Sequence, residues 1–175
     1  MFRAAKLDIN LYQEVVEDPK ASGQYLWIVV FYAMAAAVGT FGRADAATVN
    51  ITLMTTLIAW YVWAFFTYFI GTQFFPEPQT PKDRKALMRA MGFASVPGLI
   101  RIIGLYPGAS LFALVVSTVW MLVAGTLAIK IALNYTSTVR AAGICVLCWI
   151  FGWIVQGILL VLLISAFGSE INYPT

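Results

Sequence analysis

The sequence predicts an all-α, polytopic membrane bundle with five transmembrane helices and a short amphipathic N-terminal helix. Composition points there first: hydrophobic residues make up 61% of the 175 residues and charged residues 11%, unlike a soluble domain. Several apolar runs exceed the ~18 residues that mark a membrane-crossing helix. The basic residues also gather on alternate sides of those runs, as the positive-inside rule requires.

Composition also excludes function classes. A net charge of +3 is too small to suggest a nucleic-acid partner. There is no histidine, so neither an imidazole metal or haem ligand nor a histidine base is available. The two cysteines, Cys145 and Cys148, cannot alone complete a zinc or iron–sulfur site. No cofactor is expected. The polar, mixed-charge N-terminus has the wrong order for a cleavable signal peptide.

Residues 1–22 read as a cytosolic segment whose first part, 1–18, is an amphipathic helix. Leu7, Leu11, Tyr12, Val15 and Val16 share a face, away from Asp8, Glu14 and Glu17. Such a helix either lies at the interface and seats the first span or contacts a partner or lipid. Asp18-Pro19 starts the next helix, because aspartate caps free N–H groups and proline has none to lose.

The first span is expected at 23–41. Tyr25 and Trp27 are its interfacial anchors, and Ala33, Ala35, Ala36, Ala37 and Gly39 form a close-packing half. The second span, 49–74, holds Trp60, Tyr61, Trp63, Phe65, Phe66, Tyr68 and Phe69. Trp60 lies ~15 Å along the helix from Asn50, too deep for a simple interface belt. These rings pack against helices and lipid, or hold a hydrophobic ligand. The loop 76–85 is proline-rich and basic through Lys82, Arg84 and Lys85, either a topology signal or an anionic-headgroup or partner contact. Thr80-Pro81 with Asp83 caps the third helix.

The third span, 86–106, is the unusual one. It carries Arg89, Arg101 and a Pro97-Gly98 pair, which predicts a kinked crossing. On a straight helix the arginines lie ~18 Å apart and face different directions. Snorkelling or pairing accounts for them, with Glu17 or Asp18 as the acid for Arg89 and Asp45 for Arg101. Headgroup or partner binding, or gating at the kink, is the functional alternative. The fourth span, 109–133, ends at Lys130. The fifth, 141–167, carries Gly143, Gly152 and Gly157 for packing, Gln156 for an interhelical hydrogen bond, and Cys145-x-x-Cys148. The cysteines read as packing residues, with a redox pair or acylation site as the alternative. A short external tail, 168–175, follows.

With a cytosolic N-terminus, five crossings place Arg3, Lys6, Lys20, Lys82, Arg84, Lys85, Arg89, Lys130 and Arg140 inside. Arg43 falls outside, with Arg101 near the outer end of its span. A bacterial inner membrane with an external C-terminus is the expected location.

The order of four segments resembles a known family. They are Tyr12-Gln-Glu-Val-Val-Glu-Asp-Pro19; Ile70-Gly71-Thr72 before a Phe-Pro loop; Arg89-Ala-Met-Gly-Phe-Ala-Ser-Val-Pro-Gly-Leu99; and Ala132-Leu-Asn-Tyr-Thr-Ser137 followed by Arg140-Ala141. Over residues 10–167 this resembles prokaryotic members of the YIP (Ypt-interacting protein, Rab-GTPase-interacting) membrane family. The resemblance implies a five-helix domain with a cytosolic N-terminus. In eukaryotic members it implies Rab association, membrane shaping and homo- or hetero-oligomers. The family's acidic positions map onto Glu17 and Asp18, and its central pattern onto Arg89, Gly92, Phe93, Ala94, Pro97 and Gly98. The long cytosolic N-terminal region of the eukaryotic members has no counterpart here, so no Rab GTPase partner is expected.

The resulting expectation is a non-enzymatic membrane-organising or scaffold protein whose partners are lipids, itself or other membrane proteins. An accessory subunit of a larger complex is the alternative, and a small transporter or channel the third reading. Candidate contact residues are Glu17, Asp18, Lys82, Arg84, Lys85, Arg89 and Arg101, with Pro97 and Gly98 as the structural kink.

Overall fold

The structure, a computed structural model, describes residues 2–41, 46–81 and 83–167. Two short helices, α1 (Phe2–Ala5) and α2 (Ile9–Glu17), precede the long ones. These are α3 (Ala21–Phe41), α4 (Ala46–Phe69) with a π-helical turn Ile70–Phe74, and α5 (Arg84–Phe93) followed by a 3-10 segment, Val96–Leu105. Then come α6 (Ser110–Ala132) and α7 (Thr138–Phe167). Among the described residues, five helical units are long and apolar enough to cross a membrane. The loop residues Arg43, Asp45 and Lys82 and the tail 168–175 lie outside the described residues.

The third unit, α5 with its 3-10 segment, is the hub. Of its most apolar window 78% is buried, against 11% for α7. It packs on α3 and α6, and α4 and α7 pack on each other beside it. Small side chains make this possible: Ala33, Ala36 and Ala37 of α3 and Ala124 and Ala128 of α6 are almost fully enclosed. The buried threonines of α4 satisfy their hydroxyls within the helix. Thr56 donates to the Thr52 carbonyl (2.7 Å) and Thr67 to that of Trp63 (2.8 Å).

The third span is not a kinked α-helix. Asp83 caps α5, accepting from the Lys85 and Ala86 N–H groups at 2.8 and 3.2 Å. The α-helix then ends at Phe93, and from Ser95 onward the bonds tighten to i→i−3. Ser95 N–H donates to Gly92 (3.1 Å) and Gly98 N–H to Ser95 (2.9 Å). Pro97 explains the break, because it has no N–H for the Phe93 carbonyl and its ring crowds that carbonyl. The 3-10 winding then persists for ten residues, far beyond the usual short run. Because residues three apart eclipse in this winding, Ser95, Gly98, Arg101 and Gly104 stand in one row.

That row faces α3 and α6. Gly98 lies under the Tyr32 ring and beside the Met121 sulfur. At the far end Gly39 and Gly104 bring two backbones into direct contact, and a Cβ on either would fall on the other segment's main chain. Ile102 and Ile103, off the row, are exposed.

The N-terminal segment, expected as one helix over 1–18, is divided. It is two helices joined by a turn at Leu7, whose φ is +59°. Asp8 caps α2 by accepting from Asn10 N–H at 3.0 Å. Tyr12 and Val15 are buried against α5 and α6, as the expected apolar face requires. The segment runs alongside α6 toward its middle, where Trp120 Nε1–H donates to the Ala5 carbonyl at 2.9 Å.

Candidate functional site

Three polar clusters join the helices. The first is built on Arg89, which is 5% exposed. Its partner is neither Glu17 nor Asp18. Its Nε donates to the Val15 carbonyl at 2.9 Å, and Nη2 donates to the Val16 carbonyl. The last turn of α2 leaves such carbonyls without helical partners, and the planar guanidinium takes two at once. The charge also lies at the negative end of the α2 dipole. Asp18 instead accepts from Lys20 N–H (2.8 Å) at the start of α3. Glu17 is exposed in a polar groove of about 950 Å³ with Gln13, Gln79 and Lys130. Arg84 and Lys85 are exposed near this end.

The second cluster surrounds Arg101, which is 7% exposed and does not snorkel. Its Nε donates to Ser117 Oγ at 3.2 Å, and Ser117 in turn donates to the Leu114 carbonyl at 3.0 Å. The guanidinium carbon stands 5.6 Å from the Tyr32 ring centre and 5.8 Å from that of Trp153. Among the described residues, two aromatic faces are thus its electrostatic partners; Asp45, the acid expected for it, lies outside them. Two row positions away, Ser95 Oγ accepts from Trp60 Nε1–H (2.9 Å) and donates to the Met91 carbonyl (3.1 Å). A cavity of about 30 Å³ lies between Trp60, Trp63, Trp149 and Trp153. That is well below the several hundred Å³ of an organic-ligand pocket, so these rings act as packing. Gln156 Nε2 donates to Thr56 Oγ1 at 2.9 Å, the interhelical bond expected of a lone mid-span amide. Cys145 and Cys148 are free thiols, fully buried, with Cys145 Sγ against Gly125.

The third cluster was not legible as a site. Glu77, in the proline-rich loop, is held from the far side by the α6–α7 turn. Its Oε2 accepts from Thr136 N–H and Oγ1 (both 2.9 Å) and from Gln79 Nε2 (2.7 Å). Its Oε1 accepts from Arg140 Nη1 at 3.2 Å. Tyr135 OH lies 2.7 Å from the Gly71 carbonyl and 3.0 Å from that of Phe75, closing the π-helical turn onto the same loop. Asn134, with φ +54°, makes the tight turn that aims both neighbours. Burial pushes the Tyr135 hydroxyl up to about 12, so it stays a donor. The Thr136 backbone donor, aided by the Thr136 hydroxyl and Arg140, holds the Glu77 carboxyl below its ordinary range. A depressed carboxyl stabilises the fold above its unfolded value, and that contribution is lost as pH falls through the folded value. Glu77→Gln is therefore expected to lower Tm at neutral pH. Thermal scans should show the gap from the unsubstituted chain closing as pH drops below about 4.

A family model, the Yip1 domain, matches residues 10–159. The chain belongs to the Yip1 family. No curated protein and no solved structure gives a significant match. As a Yip1-family chain with five apolar helices it is an integral membrane protein. In the fold, the segments that carry the resemblance touch one another. Tyr12–Pro19 meets Arg89 through the α2 carbonyls, and Ile70–Thr72 meets Tyr135 through the Gly71 carbonyl. Each pair closes one contact near the end of the bundle where α3 and α5 begin.

Proposed function

We propose that this Yip1-family protein organises membranes as a non-enzymatic scaffold that self-associates through α7 and contacts lipid with its remaining surface. The carrying observation is the exposure of α7. Only 11% of the most apolar 18-residue window of this 30-residue helix is buried. Along it, Gly143, Leu147, Ile150, Ile154, Gly157 and Val161 alternate in steps of four and three, the spacing of a helix-pairing seam. Gly152 packs inward on Trp63, whereas Gly143 and Gly157 face open space and would let a second backbone approach. The buried polar groups Arg89, Arg101, Ser95 and Trp60 are engaged in joining helices, which supports a structural role over catalysis. Lys20, Arg84, Lys85, Lys130 and Arg140 at one end support a cytosolic N-terminus, an external C-terminus and an inner-membrane location.

The test is disulfide trapping in native membranes with Cys145 and Cys148 replaced by alanine. Ile154→Cys on α7 is expected to give covalent dimers, and Leu111→Cys on exposed α6 to give few. Equal yields at both positions would remove the scaffold reading. A second reading, a subunit of a larger membrane complex, is favoured by the polar wall of the N-terminal segment. There half-exposed Arg3 binds Asp8 (2.7 Å) and Glu14 (3.0 Å) beside apolar helices, a face better covered by protein than by lipid. Gentle purification followed by mass spectrometry would show foreign subunits in stoichiometric amount in that case.

A further inference from the structure

Two clefts adjoin along the outside of α6 and together are taken as one groove. One, about 510 Å³, is walled by Val115, Val116, Val119 and Trp120. The other, about 490 Å³, runs on past Leu127 to Lys130 and Thr138. Leu7 and Val123 line both. Each volume falls within the range of built ligand pockets. From Val115 to Lys130 the groove follows α6 for ~22 Å. That matches the ~15 Å half-thickness of a bilayer core plus the glycerol and headgroup level.

Its chemistry is graded along that length. Apart from Thr126, whose hydroxyl is spent on the Leu122 carbonyl (2.8 Å), the walls are aliphatic and aromatic until the end, where the Lys130 ammonium appears. Lys130 Nζ donates to Thr138 Oγ1 at 2.7 Å and, among the described residues, has no carboxylate in ion-pair reach. Its other two N–H donors remain for an anion. Leu7, at the junction, holds a left-handed φ of +59°, a conformation a leucine adopts only where its surroundings impose it. The strained residue is the one whose side chain lines both halves of the groove.

We infer that this groove is a binding site for one anionic phospholipid, its acyl chain along Val115–Leu127 and its phosphate on Lys130. The inference rests on the reading that the chain works through lipid contacts, but not on self-association, because it concerns α6 and not α7. A second copy seated here would lay an apolar helix against the Lys130 charge, which the charge disfavours.

The test is native mass spectrometry of the full chain, read on the monomer. Phosphatidylglycerol and phosphatidylcholine with identical acyl chains are offered in competition. The unsubstituted protein is expected to retain phosphatidylglycerol about fivefold over phosphatidylcholine, the factor one lysine near a phosphate supplies. Lys130→Gln, with Tm measured alongside because Lys130 bonds Thr138 on α7, should bring the ratio to about one, and Lys130→Arg should preserve it. Val119→Trp fills the groove and should reduce retention of both lipids, with Tm measured alongside to establish that the variant is folded. A phosphatidylglycerol preference that survives Lys130→Gln overturns the assignment. So does undiminished retention in folded Val119→Trp, or a dimer that Val119→Trp dissolves.

Discussion

Alanine at Gly39 or Gly104 is expected to destabilise the chain by at least about 3 kcal/mol, a fall of roughly 6 °C or more in Tm. Ordinarily glycine-to-alanine in a helix interior gains up to about 1 kcal/mol, because alanine loses less backbone freedom on folding. Here the sign reverses. The new methyl at position 39 would fall on the Arg101 carbonyl, and at position 104 on that of Gly39. Neither obstacle is a side chain that can rotate away, so α3 and the 3-10 segment must separate. Gly23→Ala is the matched control, since nothing lies near its added methyl and it is not on the α7 seam. It should leave Tm unchanged or raise it. Thermal unfolding of the three variants in one detergent decides the matter, and similar losses in all three would dismiss the contact as the cause.

Arg89→Met is the second large effect, expected to cost about 3–6 kcal/mol. Two charge-assisted hydrogen bonds, each worth about 1.5–3 kcal/mol, disappear together and leave the Val15 and Val16 carbonyls buried without donors. The damage should be local first. Hydrogen exchange ought to quicken across Ile9–Glu17 before α3 or α6 loosens. Arg89→Lys should recover only part of the loss, because an ammonium is not a planar fork. A charge swap of Arg89 with Glu17 should give no rescue. Rescue by that swap would reinstate a carboxylate partner that the geometry does not contain.

The spans were legible because a membrane helix announces itself by length and apolarity alone. Asp18 and Asp83 were legible as caps because capping is a local act, complete within three residues. The partners of the arginines were not. A buried guanidinium suggests a carboxylate, yet the frayed end of a short helix or a pair of aromatic faces serves as well, and nothing local distinguishes these. The Glu77 clamp bridges sixty-three positions to Arg140, and in sequence its glutamate reads as one more polar loop residue. Pro97 marked where the third helix breaks but not how it continues. The 3-10 winding is selected by glycines that must meet a neighbour not yet placed. The same ignorance of neighbours hid the inward path of the N-terminal segment, whose anchor is a tryptophan on α6.

The ten-residue 3-10 run also makes the third span a screw wound tighter than its neighbours. Rewinding it as α-helix would retract its far end by about 5 Å, since each residue would advance 1.5 Å in place of 2.0 Å. The same motion would turn Arg101 by about 120° relative to Ser95, away from Tyr32 and Trp153. Length and rotation are thus geared together. The gear is locked by the two glycine backbones at its tip, so this span cannot shorten by rewinding without first parting Gly104 from Gly39.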